Sequence, residues 1–359
     1  MKKILILANS SSGLYLFRNE LLLELIKEYK VYISLPDYTN NEDFEKEGCT
    51  VIHTPIDRRG INIIQDAKLL FNYSKLLKEI KPDVILTYTI KPNIYGGLAA
   101  RHKKIPYLTN ITGLGSSIEN GGLLQKLVKF LYKIALKKAK VVFFQNSANM
   151  KFFEDNNIVE SEKILLPGSG VNVSKFDMED MPNTSEFLFI SRVMKEKGIE
   201  EYLGAIEIVK NKYPNVVFHI LGCCEEDYKN RLDKEVQKGN IIYHGEVKDI
   251  RGVMERCQCL IHPSYHEGMS NVCLEASASK RAVITTNRPG CKETVTDGVT
   301  GYIVDAENTA DLADKIIQFI NLSYADKLKM GLEARKKMKE EFNRSIVVDK
   351  YLEIIERMR

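Results

Sequence analysis

The sequence predicts an α/β protein of two successive domains, each with a parallel β-sheet covered by helices on both faces. Three observations support this prediction. The chain has 359 residues, which is long for one compact core. Short apolar runs alternate with helix-period segments. The segment 166–185, LPGSGVNVSKFDMEDMPNTS, interrupts this alternation with prolines, glycines and acidic residues, after which the pattern begins again.

The predicted strands of the first domain are short, mostly apolar runs bounded by turn residues. Helix-period stretches such as LFRNELLLELIKEY and LLFNYSKLLKEI lie between several of these runs. This rhythm favours a parallel sheet with helices on both faces. The predicted strands are residues 4–8, 31–35, 51–54, 84–87, 107–111 and 141–145.

The second domain repeats the pattern, with a helix predicted at 199–212 and an almost continuously helical tail from 323 to 359 that restarts at Ser345. Two α/β sheets of similar size imply a cleft between the domains, which is where ligands usually bind. The predicted strands are residues 187–191, 216–221, 241–244, 259–262 and 282–285.

The composition predicts a soluble protein, with 44% hydrophobic and 28% charged residues. The first apolar run, ILILA, has five residues and leads into NSSSG, which is typical of a strand end rather than a signal peptide. No apolar stretch approaches the roughly 20 residues that cross a bilayer. We therefore expect a cytoplasmic protein.

Several classes of site are not indicated. The seven cysteines form no Cys-x-x-Cys pair, so we expect buried, reduced thiols. The histidines show no zinc-ligand spacing and no Asp-x-Asp is present, so no metal or other cofactor is expected. Basic residues interleaved with exposed aromatics, which nucleic-acid binding would require, are not found.

The charge is divided unevenly along the chain. Residues 1–170 carry 24 Lys and Arg against 17 Asp and Glu, a net +7, whereas the remainder carries 28 against 31, a net −3. A basic first half suggests an anionic partner for that half.

The stretch HEGMSNVCLE, residues 266–275, follows a predicted strand and enters a predicted helix. Gly268 permits a sharp turn, and either Ser270 or Asn271 is suited to cap the helix. The N–H groups of such a helix entrance suit a diphosphate or a sugar hydroxyl. Glu267 and Glu275 would accept hydrogen bonds from sugar hydroxyls in the same pocket. The alternative is a surface turn with two solvated glutamates.

A second motif, SRVMKEKG, places Arg192, Lys195 and Lys197 between a predicted strand and a helix opened by Gly198. Cations at the carboxyl end of a strand in an open α/β sheet lie where ligands bind. An arginine binds phosphate oxygens through two bonds, and a lysine offers a compact charge. The alternative is a basic loop in solvent.

Two further segments carry weaker signals. ILANSSSGLYLF gives a strand, a small-residue loop and a helix, and Gly13 would let a substrate approach the backbone, although neither GxGxxG nor a P-loop is present. NGGLLQKLVKFLYKIALKKAK draws a basic stripe that suits an anionic membrane surface or, equally, a solvated helix face. The lysines of this stripe are Lys126, Lys129, Lys133, Lys137 and Lys140.

Together these motifs resemble glycosyltransferase family 4, retaining enzymes of the GT-B fold, in which two Rossmann-like domains face a central cleft. The resemblance covers nearly the whole chain, and the family's two glutamates separated by seven residues correspond to EGMSNVCLE. It implies an acceptor-binding domain at 1–170 and a donor-binding domain at 171–344. The last helix, at about 345–359, would cross back onto the first domain.

The first-half stretches TYTIKPNIYGGLAA, NITGLGS and FLYKIALKKAKVVFFQN resemble transferases that build bacterial capsule, O-antigen or N-glycan precursors on polyprenyl diphosphates. Those relatives use UDP-activated hexoses or N-acetylhexosamines. The resemblance therefore implies three partners: a UDP-sugar, a lipid-linked (undecaprenyl diphosphate) saccharide and the inner face of the cell membrane. No cofactor, metal or nucleic acid is implied.

The resemblance also implies roles for the donor-side residues. Arg192 and Lys197 would hold the donor diphosphate and neutralise the departing UDP, with Glu267 bound to the donor sugar and Glu275 to the ribose. The other implied donor-side positions are Gly13, Gly222, Glu246, Val247, Gly268 and the backbone amides of Met269, Ser270 and Asn271.

On the acceptor side, the resemblance points to Gly113 and Gly115 and to Lys91 and Asn93 of TIKPN. Many relatives place a histidine from the first domain against the donor sugar, whereas this chain has Lys91 in the matching stretch. The donor-sugar contact is therefore expected to differ.

The implied reaction transfers a sugar from UDP to a hydroxyl of a lipid-linked saccharide with retention of configuration. Two alternatives remain open. An epimerase acting on UDP-N-acetylglucosamine at carbon 2 would share the UDP pocket and form an epimer without an acceptor. A non-catalytic scaffold on the membrane surface would need none of Arg192, Lys197, Glu267 and Glu275.

Overall fold

A computed structural model of the chain describes residues 1–58, 60, 62–114, 122–225 and 227–358. The chain divides into two compact units, with Met1–Ser169 and Ile346–Arg359 in unit 1 and Gly170–Ser345 in unit 2. This division falls one residue from the boundary expected after residue 170. Within the described residues, no helix is both long and apolar enough to span a membrane.

Unit 1 is built on an all-parallel sheet. Its described strands are β1 (Lys2–Leu7), β2 (Tyr29–Leu35), β3 (Thr50–His53), β4 (Val84–Tyr88), β5 (Tyr107–Ile111), β6 (Val141–Phe144) and β7 (Glu162–Leu165). They lie in the order β3-β2-β1-β4-β5-β6-β7. The connecting helices are α1 (Ser11–Glu28), α2 (Asn41–Lys46), α3 (Ile63–Ile80), α4 (Gly97–Lys103), α5 (Gly122–Leu136) and α6 (Ser147–Asp155), with a π-helical turn at Pro92–Gly96 before α4.

Consecutive strand residues point to opposite faces of this sheet, and both faces are buried. Ile4 and Ile6 of β1 belong to one hydrophobic cluster, whereas Leu5 and Leu7 belong to another. The near-continuous apolar runs of the predicted strands follow from this burial on two sides.

Unit 2 repeats the architecture with six described strands. These are β8 (Glu186–Ile190), β9 (Val217–Leu221), β10 (Ile242–Tyr243), β11 (Cys259–His262), β12 (Ala282–Thr286) and β13 (Gly301–Val304), in the parallel order β10-β9-β8-β11-β12-β13. Its helices are α7 (Ile199–Lys212), α8 (Lys229–Gln237), α9 (Arg251–Met254), α10 (Asn271–Ala278), α11 (Thr309–Ile320) and α12 (Tyr324–Glu341). Short 3₁₀ turns lie at Lys195–Lys197 and Lys292–Thr294.

The last helix, α13 (Arg344–Arg357), packs in unit 1 although the preceding residues belong to unit 2. Val347, Val348, Tyr351 and Ile354 place its apolar face in the core of unit 1. The Tyr351 hydroxyl accepts a hydrogen bond from Asn110 Nδ2 at 2.7 Å. The helix thus returns to the first domain, as the family resemblance implied.

The strand order of unit 2 reverses direction between β8 and β11, which are neighbours in the sheet. In an open α/β sheet, ligands bind outside the carboxyl ends of the strands at such a switch point. The loops that follow β8 and β11 contain Arg192, Lys197 and Glu267. The fold therefore places the predicted donor-side residues where this rule expects a ligand.

Candidate functional site

The loops after β8 and β11 pack directly against each other at Gly198. This residue has a φ of +74°, and an added Cβ would lie 2.1 Å from the carbonyl oxygen of Pro263. A side chain at position 198 would therefore force the two loops apart. Glycine here brings Lys197, its neighbour in sequence, onto the segment that carries Glu267.

Lys197 and Glu267 form an ion pair in the interior of the site. The Lys197 Nζ lies 2.7 Å from Glu267 Oε1, and the two side chains are only 15% and 18% exposed. His262 Nε2 lies 3.1 Å from the same carboxylate oxygen, and the His262 side chain is buried. The alternative of a solvated Glu267 on a surface turn is therefore wrong.

The environment of Glu267 keeps its carboxylate ionised. Burial by itself would raise the pKa, but the hydrogen bond from His262 and the charge of Lys197 outweigh it and lower the pKa to about 2. At neutral pH the group is a hydrogen-bond acceptor only, which suits it to receive sugar hydroxyls.

The turn HEGMSN leads into α10, whose N-cap is Ser270 rather than Asn271. The Ser270 Oγ accepts a hydrogen bond from the Cys273 amide at 3.4 Å. The backbone amide of Ser270 donates to the carbonyl of Gly290 at 2.7 Å. The expectation that this amide faces the donor is therefore wrong, because it already holds the loop after β12.

The residues beside Ser270 divide between core and surface. The Met269 side chain is buried in a hydrophobic cluster of unit 2, so only its backbone is suited to the implied donor contact. Gly268 and Asn271 are half-buried. These positions lie at the amino end of α10, where the helix dipole favours a negative charge.

Glu275 lies in α10 and is half-buried. Burial raises the pKa of its carboxyl to about 7, although the charges of Arg344 and Lys175 act in the opposite direction. A carboxyl that titrates near neutrality in a candidate site is typical of functional positions. The alternative of a fully solvated Glu275 is wrong as well.

Arg192 lies at the edge of the same site and is more accessible. Its side chain is 44% exposed, and its Nη1 lies 2.6 Å from Glu225 Oε2. The backbone of Val193 pairs with the loop after β9, through bonds to the Cys223 carbonyl and from the Glu225 amide. Arg192 is therefore held by the neighbouring loop. Its side chain is nevertheless more exposed than that of Lys197, which is largely buried.

The loops after β9 and β10 are joined at Gly222. Its φ is +137°, an added Cβ would lie 1.9 Å from the Ser191 carbonyl oxygen, and its amide donates to the Gly245 carbonyl at 2.8 Å. Glu246 next to this contact is exposed, and Val247 packs against a core cluster of unit 2. The structure thus groups these positions along the carboxyl ends of β8, β9 and β10.

In unit 1, the expected loop around Gly13 is shorter than predicted. Helix α1 begins at Ser11, so Gly13 lies in its first turn, and its amide donates to the Ser10 Oγ at 3.2 Å. The prediction that Gly13 belongs to a loop is therefore wrong. Gly113 is half-buried after β5, and Gly115 lies outside the described residues.

Lys91 and Asn93 follow β4 but have different environments. The Lys91 Nζ lies 2.7 Å from Asp66 Oδ1, in a pair that is 14% and 16% exposed. Asn93 is buried and donates from Nδ2 to the Asn110 carbonyl at 2.9 Å. The expectation that Asn93 faces the acceptor is wrong, because its side chain is buried and hydrogen-bonded inside unit 1.

The basic stripe on and after α5 is largely solvent-facing. Lys126, Lys133 and Lys137 are exposed. Lys129 is half-buried, and its Nζ donates to Asn156 Oδ1 at 2.8 Å. One of the three N–H donors of Lys129 is therefore used within unit 1, and its membrane contact stays a prediction.

Some residues of the site were not predicted from sequence. His262 was considered only as a metal ligand, and Glu225 and Arg344 were not considered. A histidine at the end of a buried strand, five residues before Glu267, was the one available signal for His262. The partners of Arg192 and Glu275 come from distant segments, so only the fold reveals them.

Cations and carboxylates at the carboxyl ends of the strands of a parallel sheet are typical of an enzyme that binds a phosphorylated ligand there. A family model described as glycosyl transferases group 1 matches residues 175–342. A second, described as glycosyl transferase 4-like, matches residues 3–146. Together the two matches span most of the chain.

Two curated relatives match over most of their length. The N,N'-diacetylbacillosaminyl-diphospho-undecaprenol alpha-1,3-N-acetylgalactosaminyltransferase of Campylobacter jejuni is 26% identical, with 98% of each chain covered. The UDP-Gal:alpha-D-GlcNAc-diphosphoundecaprenol alpha-1,3-galactosyltransferase of Escherichia coli is 24% identical, covering 82% of this chain and 83% of that protein.

A solved structure shows the same fold. Anabaena Alr3699/HepE in complex with UDP and glucose superposes with a TM-score of 0.81 at 17% identity, covering 99% of this chain and 100% of that one. The chain therefore belongs to the glycosyltransferases of family 4 with the GT-B fold, and this prediction is confirmed. The epimerase and scaffold alternatives are set aside.

Proposed function

We propose that this glycosyltransferase moves a hexose or N-acetylhexosamine from a UDP-sugar to a saccharide linked to undecaprenyl diphosphate, in the synthesis of a bacterial glycan or surface polysaccharide. The observation that carries the proposal is the buried ion pair of Lys197 and Glu267 at the carboxyl ends of β8 and β11. Arg192 lies in the same loop as Lys197, and Glu275 lies in the helix that follows Glu267. The names of the two curated relatives support this acceptor class, and the second names UDP-Gal as its donor.

In the proposed reaction, bond cleavage at the anomeric carbon leaves negative charge on the diphosphate of UDP. Lys197 and Arg192 bind this charge more tightly as it develops, which lowers the barrier. Lys197 has three N–H donors, so it can reach a phosphate oxygen while it remains bonded to Glu267. Glu267 accepts bonds from the donor-sugar hydroxyls, and Glu275 accepts bonds from the ribose.

We propose transfer with retention of configuration. Both curated relatives are named for α-1,3 linkages. Because common UDP-hexoses carry the sugar in the α configuration, an α product corresponds to retention. The leaving phosphate would take the proton of the acceptor hydroxyl on the face from which it departs.

We also propose that the transfer step needs no metal. Arg192 and Lys197 supply the positive charge that a divalent cation would otherwise provide to the diphosphate. Titration with UDP-sugars in the presence of EDTA tests this part of the proposal together with donor choice.

The decisive experiment is a calorimetric titration with UDP, then UDP-GalNAc, UDP-GlcNAc, UDP-Gal and UDP-Glc, all in EDTA. We expect metal-free binding of UDP that Arg192→Ala abolishes. Arg231→Ala is the matched control, because Arg231 is 43% exposed and also paired with a glutamate, Glu200. The donor that binds is then supplied with a synthetic polyprenyl-diphosphate saccharide. Absence of binding by every uridine nucleotide, or loss of binding in the control alone, contradicts the proposal.

The acceptor is anchored in a bilayer, so we further propose that α5 binds the inner face of the cell membrane. Leu123, Leu127 and Phe130 are exposed and recur on one face of α5. Exposed Lys126 and Lys133 lie beside this apolar face. An in-plane helix with an apolar face and flanking lysines is suited to anionic lipid.

This part is tested by sedimentation with vesicles that contain phosphatidylglycerol. Replacing Lys126, Lys133 and Lys137 with Gln is expected to weaken binding by about 100-fold, since each basic residue contributes about 1 kcal/mol near an anionic surface. The control replaces the exposed lysines Lys229, Lys234 and Lys238 on and after α8. Equal binding of the two triple variants would contradict a specific role for α5.

A further inference from the structure

Three side chains of metal-ligand type converge in unit 2, toward the amino ends of β8 and β11. Glu186 is the first residue of β8, His219 lies in β9 and Cys257 precedes β11. A carboxylate oxygen, an imidazole nitrogen and the thiol sulfur all lie within 4.8 Å of one another. The cluster therefore lies toward the ends of the strands opposite to those that carry the candidate donor site.

The cluster combines burial with access from solvent. His219 and Cys257 are buried, whereas the Glu186 side chain is 21% exposed. Burial raises the pKa of the Cys257 thiol to about 12, and the nearby charge of Glu186 acts in the same direction. Without a cation, this pocket holds a carboxylate, an imidazole and a neutral thiol that the proposed transfer does not use.

A fourth residue orients the imidazole. His219 Nε2 lies 2.8 Å from Glu186 Oε2, and His219 Nδ1 lies 2.9 Å from His244 Nε2. Both ring nitrogens are therefore engaged, and the plane of the ring is fixed. Metal-binding histidines usually have such a partner on the second nitrogen.

We propose that Glu186, His219 and Cys257 form a zinc site that ties together β8, β9 and the segment before β11. The set of one carboxylate, one imidazole and one thiolate matches the ligands that Zn²⁺ takes in proteins, with solvent completing a tetrahedron through the exposed side of Glu186. Ligand atoms around tetrahedral zinc are about 3.5 Å apart, so the side chains move by about 1 Å or less.

Zinc binding changes the protonation of Cys257, His219 and His244. The Cys257 thiol loses its proton to solvent and becomes the thiolate ligand. His219 Nε2 binds the metal as its proton moves to Nδ1 and is donated to His244 Nε2, while the proton of His244 Nε2 moves to His244 Nδ1. One proton is released to solvent for each zinc bound, so binding is expected to tighten as the pH rises.

Arg256 competes with the metal for Glu186. Its Nη2 lies 3.6 Å from Glu186 Oε2, and its side chain is 58% exposed. Zinc binding requires this guanidinium to turn toward solvent. Removing its charge in Arg256→Gln is therefore expected to tighten metal binding several-fold.

The sequence did not indicate this site because its residues come from three separated segments without ligand spacing. The metal would have a structural role and no part in the proposed transfer. UDP-sugar binding in EDTA and zinc binding at Cys257 are therefore separately testable.

The test is titration of the reduced, chelator-treated protein with Co²⁺, followed by displacement with Zn²⁺. We expect one Co²⁺ per chain and a near-ultraviolet band of thiolate-to-cobalt charge transfer. Cys257→Ala and Cys257→Ser should both lose the band, because neither variant keeps the thiolate ligand. Cys49→Ala, which removes a buried thiol in unit 1, should retain it.

Two further measurements make the result decisive. UDP affinity and the melting temperature without metal show that Cys257→Ala is folded, and Zn²⁺ should raise the melting temperature of the wild type but not of this variant. Absence of the thiolate band, its persistence in Cys257→Ala, or no tightening in Arg256→Gln would overturn the proposal.

Discussion

Lys197 and His262 both contact the Oε1 atom of Glu267, at 2.7 and 3.1 Å. Lys197 comes from the loop after β8, and His262 is the last residue of β11. The carboxylate is thus held from both sides of the topological switch point. Because its pKa is lowered to about 2, pH changes within the physiological range leave its charge unchanged.

Glu267→Ala is expected to lower turnover by about 100-fold or more, since an acceptor that positions the donor sugar is lost. The affinity for UDP should change only a few-fold, because UDP lacks that sugar. Steady-state kinetics and calorimetry measure the two effects. Glu196→Ala, at an exposed carboxylate in the loop of Lys197, is the control. Unchanged turnover in Glu267→Ala would remove its assigned role.

Donor binding is expected to depend on pH through Glu275. Burial raises the pKa of this carboxyl to about 7, and its ionised form is the better acceptor for ribose hydroxyls. Affinity should therefore rise about tenfold between pH 6 and 8, in proportion to the ionised fraction. A UDP-sugar is the appropriate ligand, because its diphosphate has no group that titrates in this range. Glu275→Gln should bind with little pH dependence, and a wild-type affinity independent of pH would contradict the assignment.

Glu275 should also affect the stability of the unliganded protein. Its folded pKa lies above the ordinary value of 4.5, so protonation stabilises the fold below pH 4.5 and this contribution is lost as pH rises through about 7. Glu275→Gln is therefore expected to be more stable than the wild type at pH 8, by at most about 3 kcal/mol, and similar near pH 4.5. Urea unfolding at the two pH values measures this difference. A glutamine variant less stable at pH 8 would show that the charged carboxylate is favourably bound.

Much of the fold was predictable because buried parallel strands consist of short apolar runs in the sequence. Residues 107–111 and 259–262 were predicted with the bounds that the structure gives. The strand Glu162–Leu165 was not predicted, since at the edge of its sheet it has two exposed and two half-buried residues. The strand predicted at 241–244 contains only Ile242–Tyr243, although the His244 amide still donates to the Ile220 carbonyl at 2.9 Å.

The residue types of the candidate site were predictable from the sequence, but the contacts between these residues were not. The sequence placed Lys197 and Glu267 in loops that follow strands, and only the strand order β8-β11 shows that these loops adjoin. The family resemblance placed Asn93 on the acceptor side, yet the π-helical turn at Pro92–Gly96 directs it into the interior. Contacts between segments distant in sequence decide which side chains meet or are buried. The periodicity of the sequence does not reveal these contacts.

Lys91→Ala is expected to destabilise unit 1 by about 2 kcal/mol, because Asp66 would keep a partly buried charge without its partner. The double variant Lys91→Ala, Asp66→Asn should regain most of this stability. If Lys91 also contacts substrate, sugar transfer remains low in the double variant although the fold is restored. Urea unfolding and an acceptor assay separate these effects, with Asp66→Asn alone as the control. Full recovery of transfer in the double variant would assign Lys91 a structural role only.

The contact between Tyr351 and Asn110 predicts that the last helix stabilises unit 1. Tyr351→Phe removes the hydroxyl that accepts from Asn110 and is expected to cost about 1 kcal/mol of unfolding free energy. Tyr351→Ala also removes a buried ring that contacts Phe143 and should cost about 3–5 kcal/mol. Tyr38→Phe, at a tyrosine that is 66% exposed, is the control and should change stability by less than about 0.5 kcal/mol. Equal unfolding midpoints for Tyr351→Ala and the wild type would show that this helix does not support the unit against which it packs.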